Sequence, residues 1–247
     1  MWHLERPDSH FCLIDDLPEQ DDMVEVNRII TSAKADPELC YRFLYTTSVN
    51  EVNICDLRAR CMQNRPQLIL QSAIKASNMS PEVSRELQCI TDADFALDGY
   101  RVVTRSFSSV RMWDLRYPSR PNKTISVHEN NPALFTELCN NGCLVDDFRV
   151  AVNRDATGVV TGSYDDYFAC YDLVSDRKKW LQARHSHDVL PAETPRMNEI
   201  GRKVLHVDWH NHRDIVTVAS SHSVYVFENK VEKSGGRPAE VKGYAFA

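Results

Sequence analysis

Short apolar stretches recur along the chain with strand-like alternation, and four of them share one pattern. An apolar strand runs into small or hydroxyl residues, and a second strand then closes on an aromatic residue or Cys just before Asp or Glu. The four segments run from Phe43 to Leu57, Val102 to Leu115, Val159 to Leu173 and Ile215 to Glu228. A partial fifth copy is the opening Met1-Trp-His-Leu4. The residue before the acid, or its equivalent, is Trp2, Cys55, Trp113, Tyr171 and Phe227, in steps of 53, 58, 58 and 56. Each full unit also opens with a strand-like stretch ahead of a turn. Ile90–Phe95 precedes Asp98-Gly99, a strong hairpin signal, and Val204–Trp209 precedes His210-Asn211.

Four strands per unit, with a Trp-Asp ending at Trp113-Asp114, are the composition cue for an all-β WD-repeat β-propeller. The usual period is about 40–45 residues, so these longer units carry insertions. Gln63–Glu86 is polar, with a helix-start signal at Asn78-Met-Ser-Pro81 running into Glu82–Leu87. Arg177–Asn198 reads as a loop, and Val231–Ala247 as a flexible tail outside the repeat domain of residues 1–230. The competing architecture is a β-sandwich with chance spacing, which would need neither the Trp-Asp-Leu ending nor the period.

Composition narrows the function classes. The chain has 247 residues, 43% hydrophobic and 26% charged, which is globular and excludes wholesale disorder. No apolar run is long enough to span a bilayer, and no secretory signal opens the chain, so a soluble cytoplasmic protein is expected, with the nucleus as a second compartment. Lys+Arg 29 against Asp+Glu 35 gives a net charge of −6, which disfavours nucleic acid and anionic membranes as partners and favours basic peptides. The 8 cysteines are scattered and expected to be reduced. Cys139 and Cys143 are spaced as half of a zinc site whose other half is missing.

No phosphate cradle is present, since none of the 8 glycines forms a Gly-rich nucleotide motif. His206, His210 and His212 share strand parity and offer one metal-like spacing, but the turn expected at His210-Asn211 breaks it. Trp113, Tyr171 and Phe227 read as packing residues. Asp15, Asp16, Glu19, Asp21 and Asp22 form an acidic loop cluster, either solvated or a docking edge for Lys- and Arg-bearing segments. Nothing here amounts to catalysis, so a non-enzyme without metal or cofactor is expected.

Taken together, several stretches resemble the WD-repeat B-type regulatory subunits (the 55 kDa class) of protein phosphatase 2A. They are Trp2-His-Leu4, Ile30-Thr-Ser-Ala33 with Pro37, Ile54-Cys-Asp-Leu-Arg58, Val110–Leu115 and Val127-His-Glu129. The series continues in Val160–Asp166, Lys203–His206 with Trp209-His210, and Val224–Phe227. The resemblance covers the family's C-terminal four blades and a fragment of a fifth. Its N-terminal segments and scaffold-gripping arm have no counterpart, and the basic insertion is shortened around Arg184–Asn198. A family ring of seven units of about 57 residues needs roughly 400, so an open arc is expected here. In the alternative, Phe11–Ile14 supplies the outer strand of the last unit and closes a four-bladed ring.

The resemblance implies a non-catalytic subunit that assembles with the phosphatase scaffold and catalytic subunits and recruits phosphoprotein substrates. Asp15 matches an acidic residue of the family's substrate groove, and Tyr164 falls at a matching groove position, either as an exposed anchor or as a packed blade residue. His128-Glu129 matches a family loop and is not an acid–base pair. Asp165 and Asp166 stand where the family has Asn-type residues. The other reading is a WD-repeat interaction scaffold that no longer assembles with the phosphatase core.

Overall fold

The computed structural model describes residues 29–58, 66–72, 87–128, 138, 146–184, 200–229 and 241–246, the last for the backbone alone. These residues build four antiparallel sheets, each a meander of four strands in sequence order. The first comprises β1 (Ile30–Ala35), β2 (Arg42–Thr47), β3 (Glu51–Asp56) and β4 (Leu68–Gln71). The second comprises β5 (Ile90–Phe95), β6 (Arg101–Ser106), β7 (Ser109–Asp114) and β8 (Lys123–Ser126). The third holds β9 (Val150–Val152), β10 (Gly158–Gly162), β11 (Tyr167–Asp172) and β12 (Arg177–Gln182). The fourth holds β13 (His206–Trp209), β14 (Ile215–Ala219), β15 (Val224–Asn229) and β16 (Val241–Phe246).

The sheets stack like blades. The first strand of each later sheet lies against the first two strands of the sheet before it. No comparable packing joins β13 to β1 or β2 among the described residues. Three apolar cores fill the junctions. Leu44, Val52 and Ile54 meet Phe95, Val102 and Trp113 between sheets one and two. Val103, Val110 and Phe107 meet Val159, Tyr171 and Trp180 between sheets two and three. Phe168 and Leu181 meet Val216 and Phe227 between sheets three and four. Neighbours such as Val102 and Val103, or Val159 and Val160, therefore serve different cores. A strand buried on both faces needs apolar residues at consecutive positions, which is why β6 and β10 read as runs.

Trp113, Tyr171 and Phe227 are buried, as packing residues should be. The turn at Asp98-Gly99 forms with Gly99 at φ +77°, a conformation that glycine adopts without steric cost.

Three expectations need correcting. Leu68–Gln71 is a strand inside the 63–86 insertion, and Arg177–Gln182 is a strand where a loop was expected. Val241–Phe246 is not part of a flexible tail: it pairs with β15 in register Val224↔Phe246 to Asn229↔Val241. All three are the fourth strands of their sheets. β12 is mostly exposed and opens on Arg177-Lys178-Lys179, so its apolar signal is weak, while β4 is a four-residue run, Leu68-Ile-Leu-Gln71, set in a polar stretch. The place beside β15 that Phe11–Ile14 would take in a closed ring is occupied by β16. Residues 1–28, including Phe11–Ile14 and the fifth-unit fragment, lie outside the described residues, as does most of the 63–86 insertion.

Candidate functional site

Tyr164 opens the tight turn between β10 and β11. The next two residues, Asp165 and Asp166, have φ of 54° and 57°, and Tyr167 N–H closes the turn on the Tyr164 carbonyl at 3.0 Å. Asp tolerates this left-handed region because its short side chain bonds locally. The segment 202–205 crosses the end of β10. Val204 N–H donates to Ser163 O at 2.9 Å and Asp165 N–H to Arg202 O at 2.7 Å. A Cβ on Gly162 would stand 1.8 Å from the Val204 carbonyl oxygen, so only glycine permits this approach.

The crossing buries Tyr164, which is 0% exposed. The expected exposed anchor is therefore corrected to the packed alternative. Its hydroxyl donates to Asp146 Oδ2 at 2.6 Å, and Lys203 Nζ donates to Asp146 Oδ1 at the same 2.6 Å. The phenol ring packs edge-on against Phe148, with centroids 4.9 Å apart, and 5.5 Å from the His128 ring. Asp166, also buried, takes hydrogen bonds from Ser220 Oγ and the Arg202 guanidinium. Its carboxylate thus ties the third sheet to the fourth.

His128 lies under this cluster. Its Nδ1 meets the Phe107 carbonyl at 2.9 Å and its Nε2 meets Ser163 Oγ at 2.8 Å. Burial, with the Arg105 charge nearby, holds the imidazole well below its ordinary value, so it is neutral near pH 7. A neutral ring then donates from Nδ1 to the carbonyl and accepts the serine proton at Nε2. Both residues are buried, and the partner behind the imidazole is a backbone carbonyl, so the pair serves to tie sheet two to sheet three. Burial pushes Arg105 down to about 10. Its guanidinium donates to the carbonyls of Ser106 and Phe107.

Asp92 plays a similar part between sheets. It accepts Ser32 Oγ at 2.6 Å from the first sheet, and Arg149 at 3.2 Å and Val150 N–H at 3.0 Å from the third.

The histidine series does not converge. His206 is exposed on β13. His210 Nδ1 accepts the N–H groups of His212 and Arg213 at 3.0 and 3.2 Å, forming the turn expected there. Among the described residues no three His, Cys, Asp or Glu side chains are placed to hold a metal ion. Asp15 and the rest of the acidic cluster, and Cys139 and Cys143, lie outside the described residues.

Reading the sequence alone missed Asp146 and Lys203, the two partners that bury Tyr164. They are 18 and 39 residues away along the chain, and no local pattern links them. A comparison of the sequence with protein-family models finds no matching family.

Proposed function

We propose that this chain is a non-catalytic WD-repeat regulatory subunit of protein phosphatase 2A that recruits substrates to the catalytic subunit. The observation that carries the WD-repeat part is the place of the repeated acid. Asp56, Asp114 and Asp172 each end the third strand of their sheet, and Glu228 lies one residue from the end of the fourth such strand. The ordered motifs from Trp2 to Phe227 support the phosphatase part. Holding a phosphorylated segment beside a catalytic subunit raises its effective concentration, so specificity is gained without chemistry in this chain. In this reading Asp15 is, by resemblance, a docking residue for basic substrate segments, while Tyr164 supports the turn between β10 and β11 from within.

The test is co-elution of the chain with purified scaffold–catalytic dimer on a sizing column. A stoichiometric ternary peak is expected. A folded chain that elutes apart from the dimer overturns the reading and leaves a WD-repeat interaction scaffold.

A further inference from the structure

The repeat allows the three junctions between sheets to be compared position by position. In the first two sheets, a Tyr-Arg pair enters the second strand and an Asp-Leu-Arg triplet leaves the third. Arg58 pairs with Asp56 and stacks on the Tyr41 ring at 3.4 Å. Arg116 pairs with Asp114 and stacks on Tyr100 at 3.9 Å. Arg42 and Arg101 reach across to the next sheet's turn, onto the carbonyls of Gly99 and Ala156 respectively. These groups close the first and second junctions at the face away from Tyr164.

The third sheet keeps the backbone and loses the side chains. Leu57, Leu115 and Leu173 donate in the same way to Tyr41, Tyr100 and Thr157, at 2.7, 2.8 and 2.7 Å. Arg42, Arg101 and Gly158 lie opposite Asp56, Asp114 and Asp172 in register. The tyrosine is therefore Thr157, the bridging arginine Gly158, and the stacked arginine Val174, which is 76% exposed. Trp209 of the fourth sheet leans over Gly158, so close that a Cβ there would be 2.7 Å from its ring. At this junction a groove of about 830 Å³ lies between the sheets.

The groove is graded from apolar to charged. Facing it, cross-strand pairs on β11 and β12 run Phe168↔Leu181, Cys170↔Lys179 and Asp172↔Arg177. The first pair packs on Val216 and Phe227 and forms the floor, with Trp209 at its edge. Arg154 and Arg213 project from the adjoining turns and join Lys179 and Arg177 on the rim. Asp172 is opposed by Arg177 and bonded by Val174 N–H, Ser175 N–H and Ser175 Oγ from its own turn. Four cations thus face Asp155, Asp172 and Asp214, on a chain whose net charge is −6. The local balance is therefore positive, opposite in sign to the chain as a whole.

From these observations we infer that the groove is a docking site for an acidic segment of a partner protein. An aromatic or aliphatic side chain of that segment sits against Trp209 and the Phe168–Leu181 floor, and its carboxylates meet Lys179, Arg213 and Arg154. The site lies on the face opposite Tyr164, and it is independent of the phosphatase reading.

Fluorescence anisotropy of the full chain tests it, with a labelled peptide alternating glutamate with phenylalanine and leucine. A second peptide replaces each glutamate by lysine. The acidic peptide is expected to saturate and to weaken as salt is raised, since rim charges are screened. Lys179→Glu with Arg213→Glu is expected to weaken binding about tenfold with an unchanged melt. A second variant, Val174→Arg with Thr157→Tyr, rebuilds the stack of the other junctions and is expected to abolish binding. Equal binding of the basic peptide, no saturable binding, or wild-type affinity in both variants overturns the proposal. Tighter binding of a single-stranded oligonucleotide overturns it in favour of a general polyanion site.

Discussion

Asp94 makes folding of this chain pH-dependent in a direction opposite to that of most carboxylates. It lies on β5 where the inner strands converge. Burial is the main influence and pushes its carboxyl from 3.8 up to about 7, with Asp92 and Asp208 adding to the rise. Lys34 of the first sheet and a hydrogen bond from Val152 of the third oppose it. The folded state therefore holds a proton that the unfolded chain has already released above pH 4. Stability from this group is intact below the unfolded value and falls as pH rises through the folded one. A change from 3.8 to about 7 corresponds to about 4 kcal/mol at 1.36 kcal/mol per tenfold. Asp94 is only partly shielded from solvent, and water shares its charge, so about 2–4 kcal/mol is the working range. Asp94→Asn keeps an acceptor for Val152 and removes the titration. Urea unfolding of both proteins at pH 4 and pH 8 should show little difference at pH 4 and a variant more stable by that amount at pH 8. A difference that does not change with pH, or a variant less stable at pH 8, refutes the reasoning.

Two further predictions concern the backbone. Gly162→Ala places a methyl 1.8 Å from the Val204 carbonyl oxygen, and the main chain must shift. A loss of about 3 kcal/mol in urea unfolding is expected, at the upper end for overpacking; an unchanged midpoint would show that residues 202–205 do not cross β10 as described. Removing residues 241–247 strips β16 from β15 and bares a sheet edge, so light scattering should rise with concentration while the intact chain stays clear. Equal scattering from both would place the fourth strand elsewhere.

The parts of the fold legible in the sequence were those with two buried faces. Strands such as β6 and β10 must be apolar at consecutive positions, and their spacing repeats because each fills an equivalent junction. β12 begins with exposed Arg177-Lys178-Lys179 and buries only Trp180 and Leu181, so its strand character came from pairing with β11, which a local pattern does not record. Tyr164 was legible as a groove-position residue, exposed anchor or packed, and the sequence left that choice open because Asp146 and Lys203 come from distant parts of the chain. The groove was present in the sequence only as a difference between repeats. Tyr41-Arg42 and Tyr100-Arg101 align with Thr157-Gly158 once the register is known.

That difference has little consequence for folding, which is why the third junction is free to carry it. Ion pairs at a water-exposed rim contribute little to stability, and Arg58 and Arg116 are more than half exposed. The third junction is held instead by its apolar core, where Phe168 and Phe227 stack with centroids 4.8 Å apart beside Val216 and Leu181. Each such side chain contributes about 1.5–3 kcal/mol on burial, and Asp166 adds a polar tie to the fourth sheet at the opposite face. Losing the rim arginines therefore opens the groove without loosening the sheets. The polar groups around Tyr164 are already spent on one another, through Asp146, Lys203 and His128. At the third junction Arg154 meets Nδ1 of His212 at 3.2 Å, and Lys179 and Arg213 stand exposed on the rim. Among the described residues, the rim of the Gly158–Trp209 groove therefore presents cationic side chains to a partner.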